Sequence, residues 1–436
     1  MPPRPGAKRM RALPLANVLF LAHRVPYPPD KGDRIRTFNI LRFLSQRARV
    51  HLACLADEPV SNEIKHSLGR YCERLAIVKV GGGSRWFRTG LSLVRGGTAS
   101  EGAFHVPQLC RILRRWASEV RYDISLGSAS SIAAYLRLTQ LRDVPAVIDF
   151  MDVDSQKWFD YAASHRGPRA WLYRTEGRRL RRLEQETSAW ASAITLVGQT
   201  ELNIYRQFCP NGPAHAITNG VDLDYFHPEA LIGPASSRSE APSCVFVGAL
   251  DYFPNVEASL WFCREIWPQV HRRRPEAKFY LVGRRPSPAL ERLSALPGVV
   301  LVGQVPDVRP YLAQASITIA PLRIARGIQN KVLESLAMAR ATIVSPQTLV
   351  GLNACPGVHL LQASSSEEWL QTILALFDDP ALRRSLGEAG RRYVEEHHSW
   401  ESCLKPLGSL LGLGGSGNKQ SRIAMPAGVA ATNIAN

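Results

Sequence analysis

Short apolar runs alternate with longer amphipathic segments along the first half of the chain. An apolar run over 17–22 precedes a loop rich in proline, and residues 34–47 then carry apolar side chains at helical spacing. A second apolar run over 50–55 completes a strand–helix–strand unit, which favours a right-handed crossover and a parallel sheet. The same pattern predicts strands over 76–80, 124–126, 146–150 and 193–197, and a helix over 171–190.

A polar stretch with clustered proline, serine and glycine, Glu229–Pro242, separates this alternation from a second one. After it the pattern predicts strands over 243–247, 278–282, 299–302, 316–320, 341–344 and 359–361, and helices over 256–270, 329–338 and 367–377. Two consecutive alternations of strands and helices predict an α/β chain with two doubly wound, Rossmann-like domains that face a cleft.

Composition agrees with a folded chain of two or three domains, since 45% of the 436 residues are hydrophobic and 21% are charged. No apolar run is long enough to span a membrane, and Leu13–Ala22 fits a core strand better than a signal peptide. The eight cysteines show no C-x-x-C pair, so we expect reduced, mostly buried thiols in a cytoplasmic protein.

The net charge of +17 is concentrated in two segments. Met1–Ala12 carries four basic residues and no acidic one, and Arg166–Arg182 carries seven basic residues against one glutamate. Such surfaces bind nucleic acid, anionic lipid or anionic substrates. The absence of nucleic-acid-binding motifs favours the last two, and a solvated charged helix face remains the alternative.

The segment from Ala320 to Glu334 carries the clearest candidate chemistry. A strand is predicted to end near its start, and a helix to begin after Gly327. The free N–H groups of such a helix start bind anions, and Lys331 in its first turn would be favourable only beside one. Glu334 lies on the same face and can accept hydrogen bonds from ribose hydroxyls. An ordinary solvated Lys–Glu helix face is the alternative.

The loop after the first strand offers a second phosphate-binding candidate. Gly32 lets the backbone approach a phosphate, and Arg34 and Arg36 can neutralise it. A helix capped by Asp33 is the alternative, and both interpretations can hold together. His23, at the end of the first strand, is a weaker candidate for the same edge.

Three acidic residues, Asp149, Asp152 and Asp154, follow a later strand of the first domain. Carboxylates here can bind sugar hydroxyls or accept a proton. Clustered carboxylates also hold hard cations, and Asp154 can instead cap a helix. By contrast, we expect His397 and His398 to be solvated on a polar helix, and Gly81–Gly83 to form a flexible loop.

Several motifs in order resemble family 4 retaining glycosyltransferases of GT-B fold, over roughly residues 17–400. The resemblance is to the subgroup associated with exosortase and PEP-CTERM exopolysaccharide systems. The motifs that carry it are Arg24–Asn39, Asp149–Trp158, Asn219–Asp222 with Phe226 and Pro228, Val247–Asn255 and Gly327–Glu334.

The resemblance implies roles for individual residues. Glu334 matches the family glutamate that holds the nucleotide ribose, whereas Arg326 replaces the glutamate that touches the transferred sugar. The usual Arg-x5-Lys pair is absent, which leaves Lys331, with Arg284 or Arg326, to neutralise the diphosphate. The candidate catalytic residues are Asp152 and Arg326, and the candidate donor-binding residues are Gly32, Arg34, Gly248, Gly303, Val305, Gly327, Ile328, Gln329, Asn330, Lys331 and Glu334. No metal and no cofactor are implied, because the nucleotide sugar is itself the donor substrate.

The implied function is transfer of a sugar, with retention, from a nucleotide-sugar donor to a glycan or lipid-linked glycan in exopolysaccharide biosynthesis. The expected location is cytoplasmic, at the inner membrane face, with an anionic membrane surface as a further partner and no nucleic acid. Two alternatives stay open: a nucleotide-sugar epimerase or phosphorylase of the same fold, and a catalytically silent membrane-associated scaffold, which the replacement by Arg326 favours.

The predicted domain boundaries follow from these motifs and linkers. The order along the chain is a basic flexible arm (1–15), an acceptor-side Rossmann-like domain (16–228), a linker (229–242), a nucleotide-sugar-binding domain (243–395), a helix (396–410) that can return to the first domain, and a disordered tail (411–436).

Overall fold

The computed structural model describes residues 15–30, 32–94, 96–229, 241–325 and 327–414, without the side chains of 82–86. The predicted arm, most of the predicted linker and most of the predicted tail therefore lie outside the described residues, as does Arg326. Within them, one compact unit comprises 15–195, 206–215 and 407–414, and the other comprises 196–205 and 216–406.

The first unit is built around a sheet of seven described strands in the order β3-β2-β1-β4-β5-β6-β7. The strands are β1 Asn17–Ala22, β2 Arg49–Ala56, β3 Arg74–Lys79, β4 Ile124–Ser128, β5 Ala146–Met151, β6 Ala193–Leu196 and β7 Ala214–Ala216. The pairs from β3 to β5 are parallel, which confirms the predicted crossover topology. From β1 the chain runs outward to β2 and β3, and it then continues on the other side of β1 with β4 and β5. The carboxyl edge between β1 and β4 is therefore a topological switch point.

Nine described helices accompany this part of the chain: α1 Gly32–Ser45, α2 Asn62–Gly69, α3 Gly82–Val94, α4 Ala99–Phe104, α5 Pro107–Glu119, α6 Ala133–Leu136, α7 Asp154–Ala163, α8 Pro168–Trp190 and α9 Gln199–Arg206. The expectation of a flexible loop at Gly81–Gly83 was wrong, because Gly82 begins α3. The hydrophobic core explains the strand pattern, since every residue from Val18 to Ala22 is at least 98% buried.

The second unit repeats the architecture with six described strands in the order β10-β9-β8-β11-β12-β13. They are β8 Ser243–Val247, β9 Lys278–Val282, β10 Val299–Gly303, β11 Ile317–Ala320, β12 Thr342–Val344 and β13 Leu361–Gln362, and all their pairs are parallel. The predictions for β8 and β9 are confirmed to the residue, because each is a run of four apolar residues after one polar residue.

The described helices after β8 are α10 Phe253–Trp261, α11 Trp267–Arg273, α12 Pro288–Glu291, α13 Arg309–Gln314, α14 Asn330–Ala337, α15 Pro346–Leu349, α16 Ser366–Asp378, α17 Pro380–His397 and α18 Trp400–Leu410. The single helix predicted over 256–270 is in fact two helices joined by a π-helical turn, Phe262–Ile266. A core of aromatic side chains that includes Phe262, Trp267 and Trp369 packs beneath them.

All eight cysteines are free and five of them are buried, as the sequence predicted. No helix among the described residues is long and apolar enough to cross a membrane.

Candidate functional site

The carboxyl edge of the second sheet holds most of the predicted donor-binding residues. The topological switch point of this sheet lies between β8 and β11, because the chain moves outward from there to both sides. Open parallel sheets bind ligands at this edge, where the loops after the two central strands separate. The helices that follow those loops are α10 and α14.

Both helices begin at this edge without a side-chain cap. The N-cap residues Tyr252 of α10 and Gln329 of α14 make no capping hydrogen bond with their side chains. The first N–H groups of a helix carry a partial positive charge and need acceptors. Two such starts on neighbouring loops therefore favour an anionic ligand.

Lys331 links the two helix starts. Its Nζ donates to Oδ1 of Asn255 across 2.6 Å and lies 4.9 Å from the centre of the Phe246 ring. Asn255 is 4% exposed, and its Nδ2 donates to the carbonyl oxygen of Ala249 across 2.9 Å. A buried amide thus holds the ammonium group in place between α10 and α14.

Three strand ends approach one another closely beside this lysine. The amide of Gly248 donates to Val282, and the amide of Gly283 donates to Gly303. A Cβ atom on Gly283 would lie 1.7 Å from the carbonyl oxygen of Gly248, so only glycine fits there. Gly248 and Gly303 were predicted site residues and Gly283 was not, although it directly follows a predicted strand, as Gly248 does.

Glu334 stands one turn beyond Lys331 on α14, and their charges interact. Burial raises the pKa of Glu334 to about 7, and the lysine opposes this rise. Burial likewise lowers the pKa of Lys331 to about 8, opposed by Glu334. Both groups therefore titrate near neutral pH, as groups in binding and catalytic sites often do.

The other predicted donor residues of the second unit lie in the loops after β10 and β11 and at the start of α14. Gly327 has a left-handed φ of 58°, which glycine adopts most readily, and Ile328 is buried in the core beneath α14. Oδ1 of Asn330 accepts a hydrogen bond from Asn219 across 3.1 Å, and Val305 packs against a small apolar cluster after β10. Their contacts with a donor remain predictions.

In the first unit, the equivalent edge carries a polar cluster after β1. The Arg24 guanidinium contacts Asp33 across 3.2 Å and Asp57 across 3.1 Å, and His23 lies 3.6 Å from Asp33. Burial raises the pKa of Asp33, but His23 and Arg24 more than offset this and hold it below its usual value. Asp33 lies in the first turn of α1, after the exposed Gly32, rather than preceding the helix as a cap.

Arg36 and Asp149 do not have the roles that we expected for them. Arg36 donates from Nε and Nη2 to the two carboxylate oxygens of Asp149, across 2.8 and 2.9 Å, and both side chains are buried. Thr195 also donates to Asp149, across 2.7 Å. This pair fastens α1 to β5, so it is part of the core and not of a phosphate or sugar site.

Arg34, a predicted donor ligand, is also paired. Its guanidinium contacts Asp30 across 3.3 Å and Glu58 across 2.8 Å. These carboxylates are half-exposed, so the pair is far easier to rearrange than the one at Arg36. Donor binding by Arg34 stays a prediction.

Asp152 and Asp154 lie at the same carboxyl edge, after β5. Asp154 begins α7 without capping it and accepts a hydrogen bond from Ser130 across 2.9 Å, whereas Asp152 is exposed. Met151 and Ala129, at the ends of β5 and β4, have positive φ angles of 65° and 90°. Such backbone strain costs on the order of 1–3 kcal/mol per residue and is concentrated at functional sites.

The expectation of two solvated histidines was wrong for one of them. His398 is 5% exposed, and its ring contacts the Tyr393 hydroxyl across 3.0 Å and the Asn219 carbonyl oxygen across 3.1 Å. It therefore anchors the loop at Asn219 to the end of α17. Among the described residues, no cluster of three or more histidine, cysteine or acidic side chains could hold a metal ion.

The part of the chain that carries this site is similar to known proteins. Residues 241–379, which contain both helix starts and Lys331, match the family model described as glycosyl transferases group 1. This part of the chain is therefore similar to group 1 glycosyltransferases. A curated relative is the GDP-mannose-dependent monoacylated alpha-(1-6)-phosphatidylinositol monomannoside mannosyltransferase of Corynebacterium glutamicum, which is 24% identical over 239 residues. That match covers 50% of this chain and 61% of the relative, so the chain spans about six tenths of the relative's length.

Solved structures resemble this protein in fold over nearly the whole chain. Sucrose-phosphate synthase from Thermosynechococcus elongatus superposes with a TM-score of 0.67 at 16% identity, over 91% of this chain and 98% of that one. Anabaena HepE in complex with UDP-glucose gives a TM-score of 0.64 at 12% identity, over 91% and 99% of the two chains. The fold is therefore GT-B, with two Rossmann-like domains, as predicted.

Proposed function

We propose that this protein is a glycosyltransferase that takes a sugar from a nucleoside-diphosphate donor bound at the carboxyl edge of β8 and β11. The observation that carries the proposal is the Lys331 ammonium, held 2.6 Å from Asn255 between two uncapped helix starts. A fixed cation and two helix dipoles suit the diphosphate that leaves when the glycosidic bond breaks. The relatives' names support the donor class, since they include a GDP-mannose-dependent transferase and a complex with UDP-glucose.

In this proposal the bond between the anomeric carbon and the diphosphate oxygen breaks, and its electron pair leaves with the diphosphate. Lys331 and the first N–H groups of α14 stabilise the developing negative charge, and the dipole of α10 adds to this effect. The acceptor hydroxyl oxygen forms the new bond and loses its proton, for which Asp152 is our candidate base. Glu334 accepts hydrogen bonds from the ribose and so orients the nucleotide.

The finer parts of the proposal rest on the motifs that resemble family 4 enzymes. They are retention of anomeric configuration, membership of the exosortase-associated subgroup, a role in exopolysaccharide assembly, and a lipid-linked glycan acceptor at the cytoplasmic membrane face. Arg326 takes the place of a family glutamate beside the transferred sugar, so we propose that it contacts the donor sugar or its phosphate.

A nucleotide-binding experiment tests the donor site. We expect one of UDP, GDP or ADP, and not the monophosphate CMP, to raise the thermal unfolding midpoint, since a ligand at 100 times its dissociation constant stabilises by about 2.7 kcal/mol. Glu334→Ala should lose most of this shift. Glu388→Ala, which changes an exposed glutamate of α17, is the matched control and should keep it.

A nucleotide sugar of the nucleotide that binds, labelled in its sugar, is then incubated with membranes from cells that express this protein. Appearance of the labelled sugar in a glycan or lipid fraction supports transfer. Free altered sugar without an acceptor would indicate an epimerase, and no nucleotide binding by folded protein would indicate a scaffold.

The pH dependence of nucleotide affinity is a separate expectation. Ribose hydroxyls bind the ionised form of Glu334, so affinity should fall as pH drops below about 7, where this carboxylate takes up a proton. The diphosphate binds the protonated form of Lys331, so affinity should also fall as pH rises above about 8. Affinity measured by calorimetry should therefore be highest between these values.

Two variants show which residue causes the acidic and the alkaline limb of the pH profile of nucleotide affinity. Glu334→Gln should remove the part of the acidic limb that belongs to the protein and leave only the titration of the ligand's own phosphate. Asn255→Asp places a carboxylate beside the ammonium, which raises the pKa of Lys331 and should move the alkaline limb to higher pH. An unchanged profile in both variants would show that neither group binds the nucleotide.

A further inference from the structure

Helix α3 of the first unit exposes an apolar face. Phe87, Leu91 and Val94 are 74%, 38% and 87% exposed, and their spacing of four and three residues puts them on one side of the helix. The opposite side packs against α4, where Gly102 lies against the backbone of Arg88 and Thr89. The helix contains no acidic residue. Three large apolar side chains aligned on one solvent-facing helix side indicate a binding surface.

The start of helix α8 exposes two more large apolar side chains. Trp171 and Leu172 are 67% and 52% exposed in its first two turns. The nearest acidic residue on this helix, Glu176, is buried and accepts a hydrogen bond from the amide of Ala99 across 2.8 Å. This end of α8 therefore combines exposed apolar side chains with no exposed acidic residue before Glu186.

The two apolar groups lie on segments that are fastened together. Arg179 of α8 donates to the carbonyl oxygen of Gly97 across 3.0 Å, and Glu176 holds the start of α4. Val94 lies three residues before Gly97, and Leu172 lies one helical turn, about 6 Å, before Glu176. The apolar face of α3 and the start of α8 therefore both lie beside the contact of α8 with Gly97 and the start of α4.

Exposed arginines accompany these apolar side chains along α8. Five of them are exposed on or just before α8, and none forms an ion pair with another described residue: Arg166, Arg169, Arg174, Arg178 and Arg182. Protein interfaces are also rich in arginine and aromatic side chains, but five unpaired charges of one sign beside exposed tryptophan, phenylalanine and leucine are typical of helices that lie on anionic membranes. Charge complementarity therefore selects an anionic lipid surface over a protein partner.

We propose that α3 and the first half of α8 dock this protein on an anionic bilayer, with Phe87, Leu91, Val94, Trp171 and Leu172 in the headgroup region and the five arginines on lipid phosphates. This docking surface rests on the proposed function, because its purpose is to bring the first unit to the lipid-linked acceptor. Tryptophan and arginine are the residues that membrane interfaces favour.

Sedimentation with vesicles tests this surface in the full-length protein. The unmodified protein should bind vesicles of 30% phosphatidylglycerol in phosphatidylcholine, at about 0.15 M salt, and should not bind pure phosphatidylcholine. Phe87→Ser/Leu91→Ser/Val94→Ser should lower the partition coefficient at least tenfold. Arg169→Gln/Arg174→Gln/Arg178→Gln should lower it about a hundredfold, since each arginine near the surface contributes about fivefold.

Two matched triple variants in the second unit serve as controls. Val350→Ser/Val358→Ser/Leu382→Ser removes three exposed apolar side chains, and Arg272→Gln/Arg384→Gln/Arg392→Gln removes three exposed arginines. Both should bind anionic vesicles as the unmodified protein does. Equal losses in the control and surface variants would overturn the proposal, because binding would then follow total charge or hydrophobicity rather than this surface.

Two further results would overturn the proposed docking surface. Failure of the unmodified protein to sediment with anionic vesicles overturns the proposal. So does a dimer in solution that the Phe87→Ser/Leu91→Ser/Val94→Ser variant converts to a monomer, since the face would then bind a second copy. The nucleotide-dependent thermal shift, measured in every variant, shows that the protein is folded and reports on the donor site, so failure of docking and failure of the proposed function are distinguished.

Discussion

Lys331→Ala is expected to lower kcat for sugar transfer by about 10²- to 10³-fold, the usual effect of removing one fixed charge or donor that stabilises a leaving oxyanion. The expectation follows from the position of Nζ, which lies 2.6 Å from Asn255 and one helical turn before Glu334. The loss should exceed the loss of affinity for the intact donor, because charge on the diphosphate grows as the glycosidic bond breaks. Steady-state kinetics with the donor whose nucleotide binds would measure both.

Lys278→Ala is the matched control for this substitution. Lys278 is the exposed first residue of β9, so its loss removes the same charge from the same unit without touching the site. It should change kcat less than twofold. If Lys331→Ala were to retain more than a third of the wild-type kcat in protein that still unfolds cooperatively, the diphosphate would not depart beside this lysine.

The central strands of the fold were predictable because they are buried on both faces. Apolar runs predicted β1, β8 and β9 to the residue, since a strand covered on both faces needs no polar alternation and only the first position of each is polar. Helix α3 could not be predicted in this way. It begins at Gly82-Gly83, a pair that is typical of loops, and it exposes its apolar face instead of burying it.

The candidate site was only half predictable, for a related reason. Lys331 and Glu334 stand close together in the sequence, so their shared helix face follows from helical spacing. Asn255, which holds the lysine, is 76 positions away, and only the order of the strands brings it there. Gly283 faces Gly248 for the same reason, across neighbouring strands that are separated by two helices in the chain.

The same limit explains why Arg36 and Asp149 were misassigned. They are 113 positions apart, and each stands in a motif that is rich in charged residues at a strand edge. Sequence spacing cannot distinguish a charge that faces a ligand from one that is paired inside the core. Their fully buried, bidentate geometry makes that distinction, and it also predicts a large effect on stability.

Asp149→Asn should lower the free energy of opening of the first unit by about 3 kcal/mol, and Arg36→Ala by about 3–5 kcal/mol, because each leaves a buried charge or its hydrogen bonds without a partner. Hydrogen exchange of the β1 and β5 amides, followed by mass spectrometry, would measure this loss. Exchange in β8 and β9 and the nucleotide-dependent thermal shift should stay near wild type, since the pair lies within the first unit.

Arg142→Ala and Asp143→Asn are the matched controls for this pair, because they make the same chemical changes at exposed positions of the same unit. Both should change the opening free energy by less than about 0.5 kcal/mol. The double variant Arg36→Met/Asp149→Leu should cost less than the sum of the losses measured for Arg36→Met and Asp149→Leu singly, since an apolar pair leaves no buried charge behind. Wild-type exchange in Asp149→Asn, or strict additivity in the double variant, would show that the pair does not hold α1 to β5, and Asp149 would again become a candidate for the site.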